Sequence, residues 1–248
     1  MSDSRGRRVF ENFPKARPDL PDNYRKIYEY HYKLNRQGGS VATSLSKRME
    51  GWMHRKIAED VSGSGQSLLT LEIGAGTMNH LPYEPASRPY DVIEPTQFFY
   101  ETSPLPAQVR TLYKDIRDIP PGTTYQRLIS IATFEHICDL PDMVACCGLL
   151  LADGGQLRVG IPSEGTLLWR MGWRFTTGLE FRLKYGLDYS VLLRHEHVNT
   201  AADIEEVLRY FFGSVSGSVF GVNRALSFYQ FFACSAPVLD RCHAHLRA

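Results

Sequence analysis

The chain finishes with two β-rich runs, "SVSGSVFGV" at 214–222 and "LSFYQFFACS" at 226–235, separated only by the turn-prone "NRA". Two strands with so short a link pair antiparallel, because a parallel pair needs a crossover of a dozen residues or more. Upstream the text alternates differently. β-rich runs at 68–73, 89–94, 109–113, 127–132 and 155–161 are separated mostly by turn residues or helix-like stretches, the pattern of parallel crossover units. The expectation is an α/β fold with a mostly parallel, seven-stranded sheet, a C-terminal antiparallel hairpin and helices on both faces.

A chain of 248 residues, 43% hydrophobic and 22% charged, suits one α/β domain with decoration. Residues 1–22 are rich in Pro, Arg and Asp and read as an extended lead-in. Tyr24, Ile27, Tyr28 and Tyr32 then share one helical face, and Met49, Trp52, Met53 and Ile57 repeat on a second helix after the Gly38-Gly39 break. "SGSGQS" at 62–67 reads as a linker, so residues 1–66 are expected to form a lead-in and helical cap, and residues 67–248 the main domain. Thr200 and Asp203 have capping-box spacing before a helix whose apolar face is Ile204, Val207, Leu208 and Phe211. A net charge of +1 gives no electrostatic case for nucleic acid. Five cysteines without CxxC spacing read as reduced thiols. The start lacks a hydrophobic signal region, and the longest apolar run, 143–152, is far below the ~18 residues of a membrane span. A cytoplasmic location and no membrane span are expected.

The chemistry gathers where strands end. "LLTLEIGAG" runs from an apolar strand through Glu72 into Gly74, Ala75 and Gly76. Glycines there serve either a tight turn or the close approach of backbone N–H groups to a ligand. A dinucleotide fingerprint would continue GxGxxG, but its sixth position is Asn79. Glu94, in "YDVIEPT", closes the second strand, where a carboxylate accepts hydrogen bonds from ribose hydroxyls; Asp115, in "LYKDIRDIP", follows the third beside the apolar Ile116. Open parallel sheets bind ligands along that edge.

The order E-I-G-A-G, V-I-E-P, Y-K-D-I, A-T-F-E-H-I-x-D and L-x-x-G-G-Q-L resembles the class I S-adenosylmethionine-dependent methyltransferase family over roughly residues 68–234. The resemblance implies a Rossmann-like fold, S-adenosyl-L-methionine as cofactor and a small-molecule substrate. It implies that Glu72, Gly74, Ala75 and Gly76 contact the amino-acid half of the cofactor. Glu94, followed by Pro95, would meet the ribose, Asp115 and Ile116 the adenine, and Thr133 and Phe134 the cofactor's other side. Glu135 and His136 would face the substrate. Two departures stand out: Met78 occupies a position where many members have a third glycine, and only twelve residues separate Gly76 from Pro89. The first crossover helix is therefore expected to shrink to a turn or irregular loop, with Tyr30, His31, Arg48 or His54 of the N-terminal helices as candidates to close the site.

Residues 163–198 form a long insert before the capped helix, with Trp169, Trp173, Phe175, Phe181 and Tyr185 as aromatic surface and Arg170, Arg174, Arg182 and Lys184 as charge. It reads either as a helical insert packing on the core or as a substrate lid. His195 and His197 stand at i and i+2, but no third ligand follows at motif spacing, so no metal is expected. His136, His195 and His197 are the candidate catalytic residues, since histidine as a residue type exchanges protons near neutrality. "ATFEH" stands where nitrogen methyltransferases of amides and nucleobases carry Asn/Asp-Pro-Pro-Tyr. The reading is therefore O-methylation of a sugar or natural-product intermediate, with a non-catalytic scaffold of the same fold as the alternative. Monomer and homodimer are both open.

Overall fold

A computed structural model describes residues 10–28, 44–62, 68–85, 89–96 and 105–247. Seven strands form one sheet: β1 (Thr70–Ile73), β2 (Tyr90–Ile93), β3 (Val109–Tyr113), β4 (Tyr125–Ile131), β5 (Leu151–Pro162), β6 (Phe212–Gly221) and β7 (Ser227–Pro237), in the spatial order β3-β2-β1-β4-β5-β7-β6. The first five pair in parallel, and β7 lies antiparallel between β5 and β6. This is the expected architecture, hairpin included. Among the described residues, the connection from β1 to β2 carries one short 3-10 turn, Leu81–Tyr83, and no α-helix, as the twelve-residue spacing and its prolines required.

Alternation along the strands gives each face its own core. Leu71, Ile73, Ile93, Leu128 and Val159 face helices α2 (Leu140–Leu150), α6 (Ala201–Phe211) and α7 (Leu239–Leu246). Helix α6 begins with the capping box read from the sequence: the Thr200 side chain accepts from the Asp203 amide, and the Asp203 carboxylate from the Thr200 amide. The other face, carrying Val92, Ile129 and Phe231, is covered by α1 (Ser44–Ala58) through Ile57. Gly160 makes this approach possible, since a Cβ there would lie 2.6 Å from Met53 Cγ. The helix expected as a cap is thus a layer of the main core. Between β5 and α6 the insert folds into α3 (Leu167–Phe175), α4 (Thr177–Tyr185) and α5 (Ser190–Glu196). No helix among the described residues is long and apolar enough to cross a membrane.

The lead-in is pinned. Phe10 packs on Tyr210, Phe211 and His245, and Lys15 pairs with Asp203 at 2.7 Å. Leu20 and Tyr24 form a small core with Phe181 and Leu192 of the insert. Tyr30, His31 and Tyr32 lie outside the described residues. His54 is buried, hydrogen-bonded to His80 (Nδ1 to Nδ1, 2.9 Å) and stacked on Tyr83, so it serves the core and does not close the site; Arg48 is exposed.

A buried polar network fastens α1 to the sheet. Arg127, fully buried on β4, donates to Glu84 (2.9 Å), Asp60 (2.9 Å) and the Ile57 carbonyl (2.8 Å). Arg158 donates to the same carbonyl and to that of Lys56, each at 2.8 Å. Two guanidinium groups thereby satisfy the last carbonyls of α1, which have no partners within the helix. His80 completes the chain, 2.8 Å from Glu84, and burial pulls its imidazole below the ordinary value against the opposing pull of that carboxylate. Removing one member of a buried charge pair leaves the others uncompensated. Arg127→Leu is accordingly expected to destabilise the fold by about 3–5 kcal/mol, measured by denaturant unfolding.

Candidate active site

The sheet order reverses between β1 and β4, and the crevice at such a switch point lies beyond the carboxyl ends of the strands. Gly74 (φ +72°) and Gly76 (φ +52°) turn the chain there in the left-handed region. Gly74 packs so closely that an added Cβ would lie 2.4 Å from the Thr133 side chain, and the Thr133 hydroxyl donates to its carbonyl at 3.3 Å. At Gly76 an added Cβ would meet none of the described residues within 4 Å. One glycine is required by protein packing, whereas the other borders open space among the described residues. Met78 is also left-handed (φ +59°), which explains why glycine suits that position; here the Met78 side chain is buried against the α1 face.

Glu94 stands at the end of β2 with both carboxylate oxygens engaged by backbone. Oε2 accepts from the Gly76 amide (2.7 Å) and Oε1 from the Thr96 amide (2.8 Å). It is only 4% exposed. This clasp holds the glycine turn against the neighbouring strand end, and Pro95 beside it is exposed. Glu72 is buried on the same sheet face as Tyr90, whose hydroxyl donates to it at 2.8 Å. Burial pushes the Glu72 carboxyl up to about 8. Asp115 is exposed after β3 and caps a 3-10 turn, accepting from the Arg117 amide at 2.9 Å, while the adjacent Ile116 is buried. Ala75 and Phe134 are buried beneath this rim.

Past β4 the chain passes through Ala132 in a left-handed conformation (φ +48°) into the turn Phe134–His136. Asn199 and its neighbours sew that turn to the end of the insert. The Val198 and Asn199 amides donate to the Glu135 carbonyl (2.8 and 3.1 Å), and the Asn199 side chain donates to the Phe134 and Ile137 carbonyls (2.8 and 2.7 Å). From the lead-in, Arg17 donates to the carbonyls of His136, His195 and Glu196. These bonds place His136 beside His197, ring centroids 4.9 Å apart and edge to face. His136 Nδ1 lies 2.9 Å from the Glu196 carbonyl, and His197 Nδ1 2.9 Å from the Glu164 carboxylate. Glu135 is buried between strand end and insert, its Oε2 without a hydrogen-bond partner among the described residues, and burial pushes its carboxyl up to about 7.

His195 stands apart from this group. Its Nδ1 faces the Pro18 carbonyl at 2.7 Å and its ring meets Tyr28. The insert's aromatics divide in the same way. Trp169 stacks near His197, donates to Glu164 and meets Tyr229 edge to face, which brings it to the group. Phe181 and Tyr185 belong to the small core with Tyr24, and Trp173 packs on Tyr189. Arg170, Arg174, Arg182 and Lys184 are exposed. Glu164, Asn199 and Arg17 are the residues sequence reasoning missed. No local spacing marks them, because each acts on residues far away in the chain.

No family model matches the sequence, and no curated protein matches it. Solved structures do share the fold. The CurJ carbon methyltransferase superposes with a TM-score of 0.56 at 21% identity over 87% of this chain and 61% of that one, so this chain spans less than two thirds of its length. The plantazolicin methyltransferase BpumL, solved with a monoazolic desmethylPZN analog and SAH, gives 0.56 at 10% identity over 87% and 91% of the two chains. A SAM-dependent methyltransferase from Thermotoga maritima, titled a possible histamine N-methyltransferase, gives 0.53 at 14% identity over 85% and 96%. The chain has the fold of the class I S-adenosylmethionine-dependent methyltransferases.

Proposed function

We propose that this protein transfers a methyl group from S-adenosylmethionine to a hydroxyl of a small molecule, a sugar or natural-product intermediate. What supports the reading is the meeting of a left-handed glycine turn clasped by Glu94 with the turn that carries Glu135 and His136, Thr133 of that turn packing on Gly74, and the grouping of Glu135 and His136 with His197. The glycine side suits the cofactor. Gly76 leaves room at the methionine end, Glu72 lies on the adjoining strand to balance an ammonium, and Glu94 with Pro95 borders the ribose. Asp115 and Ile116 offer a carboxylate and an apolar wall for adenine, with Thr133 opposite and Phe134 packed beneath it.

The histidine side suits an acceptor that must shed a proton as it is alkylated. A sulfonium is already activated, so alignment supplies much of the rate, and a hydroxyl gains further from a group that acidifies it or takes its proton. His136 and His197 fill that role, with Trp169 as the aromatic wall of a lid formed by residues 163–198. His195 instead ties the lead-in to the insert. The five free cysteines support a cytoplasmic location.

Titration calorimetry with S-adenosylmethionine tests the cofactor, and absence of binding would favour the scaffold reading. Glu94→Gln removes one charge-assisted acceptor and is expected to weaken binding about tenfold or more. His136→Ala should lower turnover by about 10²–10⁴ with cofactor affinity kept. Incubation with 13C-methyl cofactor and hydroxylated acceptors, read by NMR, separates O-methyl from C- and N-methyl products. Glu72 adds a pH dependence. The folded chain holds its proton up to about 8, whereas the unfolded chain releases it in the ordinary carboxylate range. Between those limits the folded state binds more protons, so this contribution to stability falls as pH rises. An ammonium bound nearby favours the ionised form, so cofactor affinity should rise with pH towards about 8, and Glu72→Gln should flatten both profiles.

A further inference from the structure

Glu135, His136 and His197 each offer a ligand atom, and these atoms lie within 4.8 Å of one another. The hydrogen bonds of the two imidazoles decide which nitrogens those are. A carbonyl oxygen only accepts, so His136 Nδ1, 2.9 Å from the Glu196 carbonyl, carries the proton and leaves a lone pair on Nε2. Glu164 does the same for His197: its Oε2 already accepts from the Trp169 indole, and His197 Nδ1 lies 2.9 Å away. Imidazoles that ligate metals have this arrangement, one nitrogen donating to a carbonyl or carboxylate and the other turned inward.

Glu135 supplies the second, independent observation. The side chain is 1% exposed, and its Oε2 has no partner among the described residues. No salt bridge to Lys or Arg reaches it there; its ion-pair neighbour is His136, 3.8 Å from Oε1. A buried carboxylate without a cation is costly to keep ionised. A divalent ion between the three side chains would satisfy the stray oxygen and both Nε2 lone pairs together. The framework is rigid already, because Val198, Asn199 and Arg17 fix the backbone at both ends of the group. The His136 side chain is 30% exposed, which leaves an entry path.

We propose that Glu135, His136 and His197 bind one divalent first-row transition-metal cation, of which Zn²⁺ is the reference, through one carboxylate oxygen and two Nε2 atoms. Two nitrogens and one carboxylate form the donor set of an open site, with positions left for exchangeable oxygen ligands. The cation site stands without the methyl-transfer reading; its role in the reaction rests on that reading. There the acceptor hydroxyl takes an open position, the cation acidifies it and its proton passes to water. The oxygen then forms its bond to the methyl carbon as the carbon–sulfur bond breaks, leaving S-adenosylhomocysteine. The histidines are on this account ligands and not proton acceptors.

The test is titration of the full chain, stripped with EDTA, with Zn²⁺ against a chromophoric chelator, in the absence of cofactor and acceptor. One equivalent should bind. His136→Ala, His197→Ala and Glu135→Gln should each weaken binding at least about tenfold, and Glu164→Gln, which only orients His197, about tenfold. His195→Ala should leave it unchanged. X-ray absorption of the zinc-loaded wild type needs no variant, and should show imidazole and oxygen scatterers without sulfur. No binding by the wild type, undiminished binding by a folded His136→Ala/His197→Ala double variant, or a sulfur shell would overturn the proposal. A parallel calorimetric titration with S-adenosylmethionine separates the two readings, because cofactor binding without zinc binding sinks only the cation site.

Discussion

Strands that run parallel deliver their carboxyl ends to one edge, and a reversal of strand order opens a crevice there. In this chain the reversal falls between β1 and β4, and the glycine turn and the turn after β4 meet there. Residues 72–76 and 132–136 are distant in sequence, yet they become neighbours because their strands are paired in register, Ile73 beside Ser130. The contact is close enough for Thr133 to occupy the space that a side chain at position 74 would need. The meeting of these two turns is thus a consequence of strand pairing before it is a property of any residue in them.

Two kinds of bond then sharpen it. On one side a buried carboxylate, Glu94, grips backbone amides and fixes the turn with charge-assisted hydrogen bonds. On the other, amide and guanidinium donors seize the carbonyls of the β4 turn and hold two imidazoles against a carboxylate. Both devices fix backbone in place before any ligand arrives, which spares the ligand the entropy of ordering it.

The strands were legible because β-rich runs and turn residues are local signals, and the hairpin because a three-residue link admits one pairing. The missing first helix was legible from prolines and spacing. The carboxylates at strand ends were legible as positions, but not their partners: nothing in "VIEPT" says that Glu94 takes the amide of Gly76. His195 and His197 invited reading as a pair because they are adjacent, yet a short helix ending at Glu196 turns them to different neighbours. His197 finds His136, 61 positions away, only through the fold. The contacts of Arg17 and of α1 were not legible either. A charged residue in a Pro-rich stretch looks solvated, and the role of α1 depends on the absent side chain at Gly160, which matters only when the sheet is built.

The insert's first two helices carry a ridge of exposed apolar side chains: Leu167, Met171 and Phe175 on α3, Leu179 and Leu183 on α4. Helix α3 has no buried residue and α4 has only Phe181. Apolar burial is what separates a cooperative element from one that opens by itself. This hairpin therefore sits at the weak end of the molecule's range of local stabilities, able to unfasten while the sheet, its two cores and the arginine network beneath stay closed.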